Sequence, residues 1–211
     1  MIIISHRGYW KDYSEKNTVR AFERSFSMGF GTETDVRDCA GELVISHDMP
    51  NSGELTLDAF LSLYKHYQGV MPLALNVKCD GLQSSVKDIL KKYEIDDYFM
   101  FDMSIPDMLG YLNLGLNTFV RYSEYEGPSA LWDRADGLWL DGFESLCLDV
   151  SLIEKFISQN KRVCIVSPEL HKRSTDSEWE AIKQLPAHLL NSDKLILCTD
   201  IPEIAKDYFL S

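Results

Sequence analysis

The sequence has no long apolar run and no closely spaced pair of cysteines. Near its start only three isoleucines, residues 2–4, stand together, which is too short for the apolar core of a signal peptide. No later run approaches the roughly 20 apolar residues that cross a membrane. The five cysteines are far apart, so we expect neither a zinc site nor a paired-cysteine redox motif. These absences predict a protein without membrane insertion in a reducing, cytoplasmic setting.

Positive charge is also scarce. The chain has 21 basic and 33 acidic residues, a formal net charge of −12. Such a field repels nucleic acid backbones and anionic lipid surfaces at long range, so we expect no nucleic acid partner. Any phosphate chemistry in this protein needs positive charge gathered locally.

What the sequence does contain is sufficient for one globular domain. Of its 211 residues, 45% are hydrophobic, and no linker, low-complexity tract or block of charge marks a boundary. We therefore predict a single domain over residues 1–211. Cys147, Cys164 and Cys198 stand in apolar runs, where we expect buried thiols.

Short apolar runs alternate with segments of helical periodicity, the pattern of a parallel sheet covered by helices. The predicted parallel strands are residues 2–5, 32–37, 72–78, 98–103, 118–122, 137–140, 162–167 and 194–199. The predicted helices are residues 19–26, 56–67, 84–93, 106–114, 151–160, 177–185 and 202–209. A turn at residues 38–41 returns a hairpin strand at 42–46, and Gly127-Pro128 breaks any helix between 123 and 136. Eight strands favour a (β/α)8 TIM barrel with an extra β-hairpin strand after strand two over an open doubly wound sheet.

Polar residues cluster where the first strands of this barrel end, which is where functional groups of such barrels lie. Glu33 and Asp35 are two residues apart and project to one face of a strand. Two inward carboxylates repel each other unless a hard divalent cation such as Mg²⁺ or Ca²⁺ neutralises them. Asn76 and Lys78 share this spacing on the next parallel strand, where the amide oxygen suits a metal and the ammonium suits an anionic substrate.

His6 and His47 also follow strands, and both titrate near neutrality, so they suit an acid/base pair. Each of these residues taken alone is more often a salt-bridge partner or a loop residue. Their co-occurrence at successive strand ends favours a site, because a structural account needs a separate partner for every buried polar group.

These residues resemble the glycerophosphodiester phosphodiesterase family. The family pattern, in this order, is a His-Arg-Gly strand end, a Glu-Asn-Thr helix cap, a Glu-x-Asp pair and a closing His-Asp. The chain has His6-Arg7-Gly8, then Glu15-Lys16-Asn17-Thr18, Glu33-Thr34-Asp35 and His47-Asp48, and Thr199-Asp200-Ile201-Pro202 resembles the family's final Thr-Asp-x-Pro. The resemblance implies a (β/α)8 barrel with the same extra hairpin.

Carried over residue by residue, the resemblance implies that His6 and His47 are the acid/base pair and that Glu33 and Asp35 are metal ligands. Arg7 then lies beside the phosphate, and Lys78 matches the lysine of the family's Glu-x-Lys. The position of that glutamate, normally the third protein ligand, is Asn76. Its amide oxygen still suits Mg²⁺ or Ca²⁺, with Mn²⁺ as a further choice, but the site has one negative charge fewer.

Other departures concern the substrate. Lys16 is inserted in the helix cap, and the tryptophan-rich end of strand seven is replaced by residues 166–171, in which Glu169 and His171 either line the mouth or face solvent. Asp102, Arg121 and Asp141 also end strands, as contributors to the site or as supporting partners.

The sequence thus predicts metal-dependent cleavage of a small phosphodiester, with water or a neighbouring substrate hydroxyl as the nucleophile. Glycerophosphodiesters stand first as substrates, ahead of a phosphorylated sugar or glycan and a lysolipid head group. The alternative is a catalytically weakened barrel that binds a phosphorylated ligand or partner, suggested by Asn76. No amphipathic seam indicates an oligomeric state.

Overall fold

We describe the protein from a computed structural model, which covers residues 1–69 and 71–210. Val70 and Ser211, which belong to the predicted domain 1–211, lie outside the described residues. Within them the chain has nine strands and eight α-helices. The strands are β1 (Ile2–His6), β2 (Gly31–Cys39), β3 (Glu42–Ile45), β4 (Leu73–Val77), β5 (Tyr98–Phe101), β6 (Phe119–Tyr122), β7 (Gly137–Leu140), β8 (Arg162–Val166) and β9 (Leu195–Thr199). The helices are α1 (Val19–Ser27), α2 (Leu57–His66), α3 (Gln83–Lys92), α4 (Ile105–Asn113), α5 (Val150–Ser158), α6 (Asp176–Lys183), α7 (Ala187–Leu190) and α8 (Pro202–Leu210).

The strands form one sheet in the order β5-β4-β2-β1-β9-β8-β7-β6, with β3 paired to β2 off this path. Met100 of β5 also forms a parallel bridge with Thr118, the residue before β6. The predicted (β/α)8 barrel and its extra hairpin strand are therefore confirmed. In the hairpin, Val36 of β2 pairs antiparallel with Ile45 of β3.

The chain divides into two compact units, a first unit of Ser5–Thr118 and a second unit of Met1–Ile4 with Phe119–Ser211. In the first unit β2, β4 and β5 are parallel neighbours. The side chains of Thr18 and Thr56 cap α1 and α2 by accepting from backbone N–H groups in the first turn, so each helix begins directly after its threonine. Phe22 and Phe26 of α1 pack on Phe60 of α2 with ring centroids 4.7 and 6.0 Å apart.

In the second unit β6, β7, β8 and β9 are parallel neighbours in sequence order. Among the described residues no helix connects β6 to β7, as Gly127-Pro128 predicts. The buried Trp132 lies in this connection, with its ring 5.7 Å from Tyr122 and 5.6 Å from Phe156 of α5. Trp132 thus packs against both β6 and α5.

Some local predictions were wrong. Cys164 and Cys198 are buried, but Cys147 is only half-buried because it lies in the irregular segment after β7 rather than in a strand. The sequence pattern also missed α7 and two short 3₁₀ helices at Tyr13–Glu15 and Pro168–His171. Segments of three or four residues are too short to show a helical period.

None of the helices in the described part of the chain is both long enough and apolar enough to span a membrane.

Candidate active site

The first unit brings most of the predicted site residues together at the carboxyl ends of its strands. His6 is the last residue of β1, Glu33 and Asp35 lie in β2, and Asn76 lies in β4 with Lys78 just after it. Asp35 and Asn76 are direct partners in the β2–β4 ladder. The period of two and the parallel register therefore place these groups side by side.

Asp35 is fully buried and surrounded by three polar side chains. Its Oδ2 atom is 3.0 Å from Arg7 Nε and accepts a 2.8 Å hydrogen bond from Asn17 Nδ2. Its Oδ1 atom is 3.6 Å from Lys78 Nζ, beyond hydrogen-bonding distance. Two cationic side chains, those of Arg7 and Lys78, thus flank the buried carboxylate of Asp35.

Glu33 is the second buried carboxylate. Its Oε2 atom accepts a 3.2 Å hydrogen bond from the Arg7 backbone N–H and lies 3.9 Å from His6 Nε2. Burial, followed by the nearby charge of Asp35, raises the pKa of Glu33 to about 7, although His6, Arg7 and Lys78 oppose this rise. The local positive charge therefore does not fully offset two buried carboxylates, and a bound cation would.

The oxygen atoms at this site fit a hard divalent cation. Asp35 Oδ1 and Asn76 Oδ1 are buried and accept no hydrogen bond from any residue that the structure describes. Buried polar atoms normally have partners, so two adjacent exceptions indicate a missing one. Residues 1–69 and 71–210 contain no group of three His, Cys, Asp or Glu side chains arranged for a metal. A cation here would therefore need the amide oxygen of Asn76 beside Glu33 and Asp35.

The turn after β1 aims Arg7 at both carboxylates. Arg7 has φ +58° and Gly8 φ +79°, so two successive residues adopt left-handed backbone conformations. The Gly8 N–H donates a 3.0 Å hydrogen bond to Thr32 Oγ1, which ties the turn to β2. A Cβ atom at Gly8 would lie 2.7 Å from Ala21 Cβ, so only glycine allows α1 to approach this closely.

His47 stands apart from the cluster. It follows β3, its side chain is 44% exposed, and its Nδ1 atom is 2.9 Å from Asp48 Oδ1. Its carbonyl oxygen accepts a 3.2 Å hydrogen bond from Arg37 Nε. Among the described residues it makes no hydrogen bond to another of the predicted site residues. The hairpin therefore presents His47 on the protein surface, accessible to a ligand.

From the sequence, Asn17 was not expected at the site, and the role of Asp102 was left open between contributor and supporting partner. Asn17 reads as part of a helix cap, but its side chain binds Asp35, and its Oδ1 accepts a 2.9 Å hydrogen bond from Thr34 Oγ1. Asp102 directly follows β5, and its Oδ2 atom is 3.2 Å from Lys78 Nζ. The sequence singled out Asp102 by its place at a strand end and Asn17 by its match to the Glu-Asn-Thr pattern, but neither feature indicated the contacts that they make.

The strand ends of the second unit carry their own polar cluster. Asp141 is buried after β7, and its Oδ1 atom lies 2.7 Å from His171 Nε2. Arg121 of β6 lies 3.8 Å from Asp141 Oδ2. The side chain of Glu169 accepts hydrogen bonds from Ser167 and Thr199, and from the Asp200 N–H at 2.9 Å. Glu169 and His171 thus bind neighbouring polar groups of their own unit.

We compared the chain with known protein families, curated proteins and solved structures. No protein-family model and no curated protein matches this chain. A glycerophosphodiester phosphodiesterase from Parabacteroides distasonis ATCC 8503 superposes with a TM-score of 0.76 at 18% identity, over 99% of this chain and 96% of that chain. A glycerophosphodiester phosphodiesterase from Agrobacterium tumefaciens str. C58 gives a TM-score of 0.72 at 18% identity, over all of both chains.

A third solved structure is an Oleispira antarctica phosphodiesterase in complex with its product sn-glycerol-3-phosphate. It gives a TM-score of 0.72 at 17% identity, over 100% of this chain and 97% of that chain. At this level of identity the comparisons show the fold. They confirm the resemblance drawn from the motifs in that respect: the chain has the (β/α)8 barrel found in glycerophosphodiester phosphodiesterases.

Proposed function

We propose that this protein is a phosphoric diester hydrolase that cleaves a small phosphodiester with two histidines and a divalent cation. The observation that carries the proposal is the buried pair Glu33 and Asp35 beside the cationic side chains of Arg7 and Lys78. Within residues 1–69 and 71–210, Asp35 Oδ1 and the neighbouring Asn76 Oδ1 accept no hydrogen bond. Buried carboxylates are costly, and a protein retains them where they perform a function. The fold shared with phosphodiesterases supports the same conclusion.

Glu33, Asp35 and Asn76 would hold the cation, for which Mg²⁺, Ca²⁺ and Mn²⁺ are the candidates. When bound, such an ion neutralises charge on a nonbridging phosphate oxygen. Asn76 brings one negative charge fewer than a carboxylate, so we expect weaker cation binding than a site of three carboxylates gives.

The chain's own residues supply the remaining chemistry. Arg7 and Lys78 bring positive charge against the phosphate, so they offset the charge that grows in the transition state. One histidine of the pair His6 and His47 takes the proton of the attacking oxygen as the new P–O bond forms. The other gives a proton to the leaving alkoxide as the old P–O bond breaks. The attacking oxygen is that of water or of a neighbouring substrate hydroxyl, and the latter gives a cyclic phosphate first.

Glycerophosphodiesters stand first among the substrates, since one protein with this fold was solved with sn-glycerol-3-phosphate. Phosphodiesters of phosphorylated sugars or glycans and of lysolipid head groups contain the same bond and are the other candidate substrates. The cytoplasmic location, the single domain and the lack of a nucleic acid partner stay predictions from the sequence. A barrel that only binds a phosphorylated ligand is not favoured, because binding alone needs neither histidine.

The test is a panel of these phosphodiesters incubated with each cation or with chelator, reading the alcohol released. We expect hydrolysis of at least one member that depends on the cation. His6→Ala and His47→Ala should each lower kcat/KM on the order of 10²-fold or more. His188→Ala removes an exposed histidine 3.6 Å from Glu154 and is the matched control. Normal turnover by either active-site variant would contradict the assignment, and ligand binding without turnover would favour the binding protein.

A further inference from the structure

Asp102 shares one ammonium group with Asp35. Lys78 Nζ lies 3.2 Å from Asp102 Oδ2 and 3.6 Å from Asp35 Oδ1. Asp35 has no exposed surface, whereas Lys78 and Asp102 are each 18% exposed at the side chain. The better solvated carboxylate therefore has the closer contact with Lys78, and the fully desolvated one has the longer contact.

The backbone at Asp102 is held in an unfavourable conformation. Its φ of +73° lies in the left-handed region, which residues with a Cβ atom rarely adopt. Arg7 (φ +58°) and Asn17 (φ +60°) share this feature. The side chains of Arg7 and Asn17 reach Asp35 directly, and that of Asp102 reaches it through Lys78. A strained backbone conformation of this kind persists only where the surrounding contacts hold it.

The competition of Asp35 and Asp102 for Lys78 explains the role of Asp102. A buried carboxylate oxygen without a hydrogen bond attracts a nearby ammonium group strongly, because little water screens it. Without the charge of Asp102, Lys78 would move onto Asp35 Oδ1 and occupy the oxygen that the proposed cation needs. The ammonium group of Lys78 cannot lie close to both carboxylates at once, so the charge of Asp102 determines the position of Lys78 Nζ.

We propose that Asp102 is a positioning residue that holds Lys78 away from Asp35 Oδ1 and so keeps this oxygen available to the divalent cation. The inference rests on the proposed cation site. It predicts that the loss of the Asp102 charge weakens cation binding through Lys78, although Asp102 itself does not bind the ion.

The experiment is calorimetric titration of Ca²⁺, Mg²⁺ and Mn²⁺ into the metal-free full chain and four variants. These are Asp102→Asn, Lys78→Met, the double variant and the control Asp80→Asn. Asparagine accepts the left-handed backbone and keeps the shape of the side chain. Asp80 is exposed, lies two residues from Lys78 and binds Ser104 Oγ at 3.0 Å, so Asp80→Asn removes the same charge nearby without touching Lys78.

We expect Asp102→Asn to weaken cation binding by about 10-fold or more. Asp80→Asn should stay close to the parent protein. In the double variant, affinity should return to that of Lys78→Met, because no ammonium is left to move. An unchanged affinity for Asp102→Asn would overturn the proposal. A double variant as weak as Asp102→Asn would also overturn it, since Asp102 would then be a ligand itself.

If the parent protein binds neither Ca²⁺, Mg²⁺ nor Mn²⁺, the cation part of the proposed function fails. The crystal structure of metal-free Asp102→Asn then decides the positioning role by itself. A hydrogen bond between Lys78 Nζ and Asp35 Oδ1 would support it. A lysine that stays at the parent distance from Asp35 would overturn it.

Discussion

Gly8 lies in the turn that orients Arg7 and has no room for a side chain. Its N–H donates to Thr32 Oγ1, its φ is +79°, and a Cβ atom there would lie 2.7 Å from Ala21 Cβ. The conformation and the lack of space both require glycine. The turn that orients a cationic side chain of the site is therefore coupled to the packing of the first helix.

Gly8→Ala is expected to lower the free energy of unfolding by about 2–4 kcal/mol, since left-handed strain adds to an overpacked contact. Gly41→Ala is the matched control. Gly41 also has a positive φ, +86°, but no atom of the described residues lies within 4 Å of its Cβ position, so the strain of about 1–2 kcal/mol applies without overpacking. Urea unfolding of both variants measures the difference. Equal losses of unfolding free energy in the two variants would show that the contact with Ala21 does not add to the cost of Gly8→Ala.

The irregular segment after β7 is held by the side chain of Glu124. Glu124 accepts hydrogen bonds from the backbone N–H groups of Phe143, Glu144 and Ser145, at 3.0, 3.1 and 2.9 Å. Burial opposes the shift, but these bonds and one from its own backbone outweigh it and lower the pKa of Glu124 to about 2. The ionised carboxylate is therefore the form that orders the segment.

Glu124→Gln is expected to speed hydrogen exchange of the amides of residues 143–145 at neutral pH, because a neutral amide accepts fewer and weaker hydrogen bonds. A lowered pKa gives stability that is complete above the ordinary value of 4.5 and is lost as the pH falls towards 2. The melting temperatures of parent and variant should therefore converge over this range. Glu144→Gln, which alters the contact of this side chain with Tyr125, is the control. A difference that persists at pH 2 would contradict this account.

At the scale of the elements, the sequence predicted all eight parallel strands and the hairpin strand within about two residues of their observed ends. Short apolar runs and clear turn residues determine such elements locally. The 3₁₀ helix at Pro168–His171 was missed because four residues are too few to show a helical period, and its Glu169 contacts the distant residues Thr199 and Asp200.

For the whole molecule, the net charge of −12 has two consequences for cation binding. It raises the concentration of divalent cations near the surface. It also means that any added salt stabilises the folded state, because salt screens the repulsion between acidic groups. A specific site and a general ionic effect must therefore be separated. The buried position of Asp35 allows this, since bulk salt screens buried charges much less.

Ca²⁺ or Mg²⁺ at about 100 times its Kd is expected to stabilise the parent protein by about 2.7 kcal/mol, a rise in Tm of roughly 5–10 °C. Asp35→Asn should lose this rise. Thermal melting with each cation, with chelator and with sodium chloride of equal ionic strength measures it. If sodium chloride gives the same rise, or if Asp35→Asn keeps it, the cation does not bind at this site.

The sequence by itself determined the strands and the spacing that puts Glu33 beside Asp35, since a period of two is a local property of an extended chain. The tertiary structure alone decided that Asn17 binds Asp35, that Asp102 shares Lys78 with it, and that the side chain of His47 is exposed after the hairpin strand. These relations join residues far apart in the chain. They depend on strand register and on the backbone angles of single loop residues, which local sequence preferences do not fix.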